Sequence, residues 1–575
     1  MIGDLVALLG AGVGGLGGLG GVGGLGGGTV AGLGGPVGGQ LINLSPHLPI
    51  LPIVVPLVAA AIMLLLDERV RNAKAIIGSL TTLALVIVSL MLVRTITGQG
   101  ADGVAQVLVY RLGDWAAPFG IVLVVDRLAA LMVLVTSVLG FAAFLYSLAR
   151  WAIVGPRFHS LFLLLLMGLN GAFLTGDLFN LYVFFEVLLA ASYGLLLHAS
   201  GRARVRAGLQ YIAINLASSM VFLIGVGLMY SVTGTLNMAD LAAKAATLGA
   251  GDLALYKAGF AILVVAFLTK AGMWPLSFWL PTAYSAASPP AAAIFAVMTK
   301  VGVYVTLRML MLASGSGDAT GIVELISPWL LVGGIATIVY GSVGVLSSRE
   351  LPRLAAYSTL ISSGTLLAAF GTADERVIGA SLYYLVASTL AVGAAFLLAE
   401  PIARRKEVEA VQVVEPVFGD DFETNLRSEF EGYEVGVVIP ASTALLGGAF
   451  VVCALVLIGL PPLAGFVAKL GIMSGVLAHE TAVSALSWVL VSVMVFSSLA
   501  MLLAFVRKGI EAFWLTGEET TAEVGSLEAI PIGLLLAICM AITLAAGPSM
   551  RYIDLTSAEL TAPTVYSEAV LGEQQ

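Results

Sequence analysis

The sequence predicts an all-α polytopic membrane protein of about fourteen transmembrane helices, on three observations. The 575 residues are 59% hydrophobic and 11% charged, with a mean hydropathy of +1.03; a soluble chain carries charge at about 25% of positions. The apolar residues fall in blocks that reach the roughly 20 residues needed to cross ~30 Å of hydrocarbon. Those blocks lack the ~10-residue alternating segments of a transmembrane barrel. Helices are the economical answer, because lipid offers a free backbone N–H or C=O no partner. The net charge of −8 sits in loops and tails. Cys453 and Cys539 both lie in apolar blocks, so neither a disulfide framework nor a metal site is expected.

Residues 1–45 stand apart. The run from Gly10 to Gly39 is mostly glycine with scattered Leu and Val, and each helical glycine costs about 1 kcal/mol relative to alanine. No basic stretch precedes it, so it is not a secretory signal. It reads as a flexible Gly-rich N-terminal extension, with an over-extended start as the alternative. From residue 46 to 550 the blocks are regular and form one transmembrane domain. Spans are expected near 48–66, 74–94, 127–149, 158–175, 178–199, 207–230, 256–273, 285–312, 323–346, 354–370, 377–399, 440–478, 484–506 and 529–547. The twelfth is too long for one straight helix and contains Pro461 and Pro462, so two half-helices are expected there.

Loop charge supports an even number of spans. Loops after odd-numbered spans carry Arg69, Arg71 and Lys74; Arg150 and Arg157; Arg202, Arg204 and Arg206; Arg349 and Arg353; Arg404, Arg405 and Lys406; Arg507 and Lys508. The seventh is the exception, with no cation. Loops after even-numbered spans hold Asp177, Asp240, Asp252, Asp318, Asp374 and His479. The positive-inside rule makes the odd loops cytoplasmic, and both termini then face outward. Residues 105–126 read as a β-hairpin around Gly113-Asp114-Trp115. Residues 400–436 form a cytoplasmic loop, basic at its start and acidic at Asp420, Asp421, Glu423, Glu429 and Glu431, and 551–575 form a polar C-terminal tail.

Four ionisable residues lie inside apolar blocks: Glu186, Lys270, Lys300 and Lys469. An ionised side chain near the bilayer centre costs about 2.5–3.5 kcal/mol on insertion scales, so such residues face a bundle interior or a wet cavity. A lysine near a block end has a second option, snorkelling to the interface, and Lys270 and Lys300 are placed for it. A Glu–Lys pair whose separation changes is a device for taking up and releasing protons. Two of the lysines also stand beside helix breakers. Pro275 follows Lys270 by five residues, and Pro461 and Pro462 precede Lys469. Proline frees backbone carbonyls, which membrane proteins tolerate where they line a polar cavity.

The strings TGDLFNLYVFFEVLLAASYGLLLHAS, LTKAGMWPLSFWLPTAYSAASPPAAAIFAVMTKVGVY, SSRELPRLAAYSTLISSG and GLPPLAGFVAKL resemble the antiporter-like subunit family. That family is shared by Mrp-type multisubunit Na+/H+ antiporters, respiratory complex I and membrane-bound hydrogenases. The resemblance runs from about His47 to residue 547. The wording around Glu186 and the AASPP stretch lean toward the D-type Mrp subunits, as does the lack of an extra domain after the fourteenth span. The resemblance implies two inverted five-helix repeats with helices 7 and 12 broken. It also implies a proton route: Glu186 pairs with Lys270, Lys300 passes protons to the centre, and Lys469 stands at the outlet. Val392 departs from the pattern, because many relatives carry Lys or His there. Water, a histidine or hydroxyls such as Ser388 and Thr389 would have to bridge.

The function so implied is the proton-translocating subunit of a monovalent cation (Na+)/H+ antiporter in a bacterial or archaeal cell membrane, a transporter rather than an enzyme. Other antiporter subunits, Na+, H+ and lipid are the expected partners, and no nucleic acid, cofactor or metal is. The alternative is a proton-pumping membrane subunit of a complex I-like or hydrogenase redox complex.

Overall fold

The structure, a computed structural model, describes residues 45–67, 69–98, 107–115, 117, 119–315, 320–412, 441–478, 484–513 and 524–572. The Gly-rich extension up to residue 44, Asp318, the acidic run within 413–436, and His479 lie outside the described residues. The described residues are helical almost throughout. In order, and leaving aside the short helices Trp151–Val154, Met238–Ala245 and Trp279–Ala286, the helices are α1 (Leu51–Leu65), α2 (Arg71–Gly98), α3 (Arg127–Ser147), α4 (Phe158–Leu174), α5 (Leu178–Leu196), α6 (Arg202–Thr233) and α7 (Ala250–Ala271). Then come α8 (Pro289–Ser314), α9 (Ile322–Ser347), α10 (Leu351–Phe370), α11 (Glu375–Gln412), α12 (Ala441–Ile458) and α13 (Ala464–Leu477). The last are α14 (Ala485–Phe513), α15 (Ser526–Leu544), α16 (Ala546–Thr561) and α17 (Thr564–Leu571).

Among the described residues, twelve helices are long and apolar enough to cross a membrane, which makes this a multi-pass membrane protein. Each expected block contains a helix, and the twelfth contains two, α12 and α13. The helices of α1–α15 outside that dozen have physical reasons. α4 and α13 are apolar but short. α10 carries Ser358, Thr359, Ser362, Ser363 and Thr365, all buried, so its hydroxyls face protein rather than lipid.

Burial sorts the bundle into centre and rim. The apolar windows of α8 and α11 are enclosed on every side, whereas α2 and α15 leave most of theirs outside. On α2 the exposed residues Ile76, Leu80, Leu83, Ile87 and Met91 recur at spacings of three and four, one lipid-facing stripe. Close approach of backbones builds the centre. A Cβ on Gly302 of α8 would stand 2.6 Å from the carbonyl oxygen of Phe267 and 2.7 Å from the amide nitrogen of Ala271. Glycine there lets α8 seat directly against the lysine-bearing end of α7.

The expected hairpin is present. β1 (Leu108–Arg111) pairs antiparallel with β2 (Val122–Val125), Leu108 opposite Val125. It leads into Asp126, whose carboxylate caps α3 at the amide of Ala129, 2.8 Å away. The same carboxylate takes both ends of the Arg308 guanidinium, one at 2.8 Å. Next to it Arg127 pairs with Glu559 of α16, and the Tyr552 hydroxyl donates to the Arg127 carbonyl at 2.8 Å. The segment read as a polar tail therefore folds onto the bundle, burying Ile553, Leu560, Tyr566 and Val570.

Two outcomes test this docking network. Asp126 and Arg308 are each about 5% exposed, and removing one member of a buried pair costs about 3–5 kcal/mol. Arg308→Met is therefore expected to lower the thermal midpoint of the purified protein well below that of the Asp126→Asn/Arg308→Met double variant; equal midpoints would contradict it. Burial pushes the Glu559 carboxyl up to about 7, against the opposing pull of Arg127. A carboxyl held above its unfolded value contributes stability that is complete below its ordinary range near 4.5 and is lost as pH rises through 7. Hydrogen exchange in Ala546–Thr561, corrected for intrinsic rates, is expected to be slower at acid than at alkaline pH, and Glu559→Gln is expected to flatten that dependence.

Candidate functional site

Glu186 occupies the middle of α5, a helix capped at its start by the Asp177 carboxylate on the Asn180 amide, 2.9 Å. Its side chain is half-buried and its Oε1 is buried without a hydrogen-bond partner. Lys270 comes from the last turn of α7 and is buried. Its ammonium likewise has no hydrogen-bond partner and lies 5.0 Å from the centre of the Phe185 ring, a cation–π placement. The two charges lie within electrostatic range of each other, yet each has an unsatisfied atom. A buried polar atom without a partner is costly, so this arrangement is poised to gain from closing the gap or from losing charge.

Lys300 is 1% exposed, at mid-helix on enclosed α8, so neither it nor Lys270 snorkels. Its ammonium donates to Ser362 at 2.9 Å and to Ser363 at 3.3 Å, both on α10. Ser362 in turn meets Ser388 of α11 at 2.9 Å. Ser388 is thereby joined to Lys300 through one hydroxyl. Thr389 is not: its hydroxyl donates to the Leu385 carbonyl one turn back, at 2.6 Å. Val392 is buried and offers no polar group.

Lys469, on α13, answers the helix break that precedes it. Its ammonium donates to the Ile458 carbonyl at 2.8 Å, the Leu457 carbonyl at 3.4 Å and the Ser498 hydroxyl at 2.9 Å. Those carbonyls end α12, where Gly459 takes a left-handed φ of +80° that a side chain resists. Pro461 and Pro462 occupy the exposed turn that follows. The break after Lys270 is built differently. α7 stops at Gly272, φ +74°, whose amide bonds the Thr269 carbonyl while the Met273 amide bonds that of Leu268, a left-handed C-cap. Pro275 stands in the turn beyond the helix end rather than inside a kinked helix, so a carbonyl freed by proline is not the source of the break. The chain then resumes as the short helix Trp279–Ala286.

The four charges thus divide into an unpaired couple, Glu186 and Lys270, and two lysines with satisfied ammonium groups. Sequence reasoning missed Ser362, Ser363 and Ser498, the acceptors for those lysines. The unusual hydroxyl content of the tenth block was the available signal. No group of three or more His, Cys, Asp or Glu able to hold a metal occurs among the described residues. An arrangement of this kind can store, pass and release protons.

Comparison with known proteins identifies the family. Residues 175–500 match the family described as NADH:quinone oxidoreductase/Mrp antiporter, TM. The chain is 51% identical over 535 residues to the D-type subunit of a probable K(+)/H(+) antiporter from Rhizobium meliloti (strain 1021), covering 92% of this chain and 98% of that one. It is 34% identical over 540 residues to the D-type subunit of the Na(+)/H(+) antiporter of Bacillus subtilis (strain 168), covering 91% and 99%. A chain in the structure of the Mrp complex from Dietzia sp. DQ12-45-1b shares the fold, with a TM-score of 0.76 at 24% identity, covering 92% of this chain and 100% of that one. The matched region holds Glu186, Lys270, Lys300 and Lys469, and the chain belongs to the NADH:quinone oxidoreductase/Mrp antiporter transmembrane family.

Proposed function

We propose that this chain is the proton-translocating subunit of a multisubunit monovalent cation/H+ antiporter, exchanging H+ for Na+ or K+. The single observation that carries the reading is the unpaired state of Glu186 and Lys270. Two opposite charges within reach of each other, each with an unsatisfied atom, form a bistable element. Closing the pair favours both charged forms, and opening it favours both neutral forms. Each cycle of closing and opening can therefore draw a proton in and push one on. Lys300 is the next buried base, on a helix in backbone contact with that of Lys270. Lys469, beside the α12–α13 break, exchanges protons with one side of the membrane.

The names of the relatives support the same reading. The chain works inside a hetero-oligomer of antiporter subunits in a bacterial or archaeal cell membrane, surrounded by lipid. The basic odd-numbered loops face the cytoplasm and both termini face out. The family also includes subunits of NADH:quinone oxidoreductase, so coupling to a redox module is the second reading. Native purification separates the two: small membrane subunits as companions support antiport, and companions rich in cysteine motifs support a redox complex.

Glu186→Ala is expected to abolish cation-induced collapse of a pH gradient in everted vesicles while the complex still assembles. Normal collapse with an assembled complex would overturn the proposal. Lys469→Ala is expected to do the same, since removing the ammonium leaves the Ile458 carbonyl unpaired and takes away the exchange group.

A further inference from the structure

Each helix break beside a lysine has a backbone amide that its own segment leaves unsatisfied. After α7, the Gly272 and Met273 amides bond the Thr269 and Leu268 carbonyls, and Pro275 has no N–H. The Trp274 amide lies between them, and it donates to the hydroxyl of Thr337 on α9 at 2.9 Å. At the second break, α13 begins at Ala464, and its cap residue Leu463 has no side-chain oxygen to offer. The Ala464 amide donates instead to the hydroxyl of Thr543 on α15, also at 2.9 Å. The two threonines are set alike. Each donates its own proton to the carbonyl one turn back in its helix, Thr337 to Gly333 at 2.7 Å and Thr543 to Cys539 at 2.9 Å. The hydroxyl is thereby oriented, and its oxygen becomes an acceptor of fixed direction.

Close packing holds both threonines in place. A Cβ on Gly333 would stand 2.7 Å from the Met273 sulfur, and one on Gly364 of α10 would stand 2.9 Å from the Cβ of Thr337. α9 is therefore pressed against both the break and α10. A Cβ on Gly272 would in turn meet Leu360 of α10 at 2.9 Å. Ser362 and Ser363, which hold Lys300, directly precede Gly364 on that helix. At the second break, a Cβ on Gly465 would collide with the Val456 carbonyl oxygen, so the start of α13 lies on the end of α12, where Lys469 finds its carbonyls. Next to Thr543, α15 is tied to α11 by the Tyr383 hydroxyl, which donates to the Ile542 carbonyl at 3.1 Å. Lys270 stands four residues before Trp274, and Lys469 five after Ala464, little more than one helical turn in either case.

We propose that Thr337 and Thr543 are positioning residues, each pinning the backbone of one helix break and so fixing where the neighbouring lysine, Lys270 or Lys469, presents its ammonium. The inference rests on the proton route proposed above. Without the hydroxyl, the Trp274 or Ala464 amide has no acceptor in apolar surroundings, a costly state. The broken segment then shifts to find another partner and carries its lysine with it. For Thr337 the result is a changed gap between Glu186 and Lys270. For Thr543 it is a changed seat of α13 against the Ile458 and Leu457 carbonyls. The pins touch neither ammonium, so they act through backbone geometry alone.

The test is antiport by the complete complex in everted vesicles, with rates taken per assembled complex. Thr337→Val and Thr543→Val keep the side-chain shape and remove the acceptor; each is expected to slow exchange by about tenfold or more, the order of an unpaired buried amide. Thr337→Ser and Thr543→Ser keep the hydroxyl and are expected to exchange normally. Cysteine, a weaker acceptor, is expected to fall between, and it carries the test where a valine variant does not assemble. Infrared difference spectra add a readout that a merely structural role would not move. Thr337→Val is expected to shift the cation-induced carboxyl band that Glu186→Gln removes, whereas Thr543→Val leaves that band in place. If Glu186→Ala is inactive while an assembled valine variant exchanges normally, that threonine is not a positioning residue and the route stands. If Glu186→Ala exchanges normally, the route falls and the inference with it. Failure of the serine variants to retain exchange, or an unshifted band in Thr337→Val, would also overturn the positioning role.

Discussion

A lysine ammonium at the centre of an apolar bundle needs acceptors inside the protein, because lipid supplies none. Much of this fold follows from how three lysines meet that demand. Lys469 takes the open carbonyls of a broken helix, Ile458 and Leu457, and the hydroxyl of Ser498. Lys300 takes the hydroxyls of Ser362 and Ser363 on the neighbouring α10. Lys270 takes no hydrogen bond and rests against the Phe185 ring. The first two are held; the third is left with reason to move.

The backbone is arranged around those needs. Gly302 lets α8 press against α7 at the level of Ala271, which keeps the helices of Lys270 and Lys300 in contact. Gly459 turns the chain so that the end of α12 presents its carbonyls to a side chain arriving from α13. α10 gives up lipid-facing hydropathy for a run of buried hydroxyls, which is tolerable only because it is enclosed by other helices. About two turns along α8 from Lys300, the Asp126–Arg308 pair ties the end of α8 to the start of α3. The neighbouring Arg127–Glu559 pair ties α16 to the same corner. The helix that carries Lys300 is therefore anchored by a charge pair at one end.

Much of this was legible in the residues. Block length and polarity placed the helices, and isolated charges in apolar surroundings singled out Glu186, Lys270, Lys300 and Lys469. The pair Pro461-Pro462 announced the α12–α13 break, because proline cannot extend a helical hydrogen-bond ladder. Pro275 announced a break too, but the chain turns at Gly272, since a left-handed cap costs glycine less than a proline kink costs the helix. Ser388 was found and its partner Ser362 was not, because hydroxyls are common in apolar helices and only the packing of α10 on α8 shows which ones face a lysine. The docking of α16 was hidden for a similar reason. A short polar segment has no strong periodic signal, and its hold on the bundle comes from Arg127 and Tyr552 contacts between residues more than 400 apart.

If Glu186 takes up and releases protons as proposed, its proton occupancy changes when the transported cation binds the assembled complex. Infrared difference spectroscopy on that complex, with and without the cation, reads the protonated carboxyl stretch directly. A cation-induced carboxyl signal that disappears in Glu186→Gln is expected. A signal unchanged by that substitution, or none in an active complex, would contradict it.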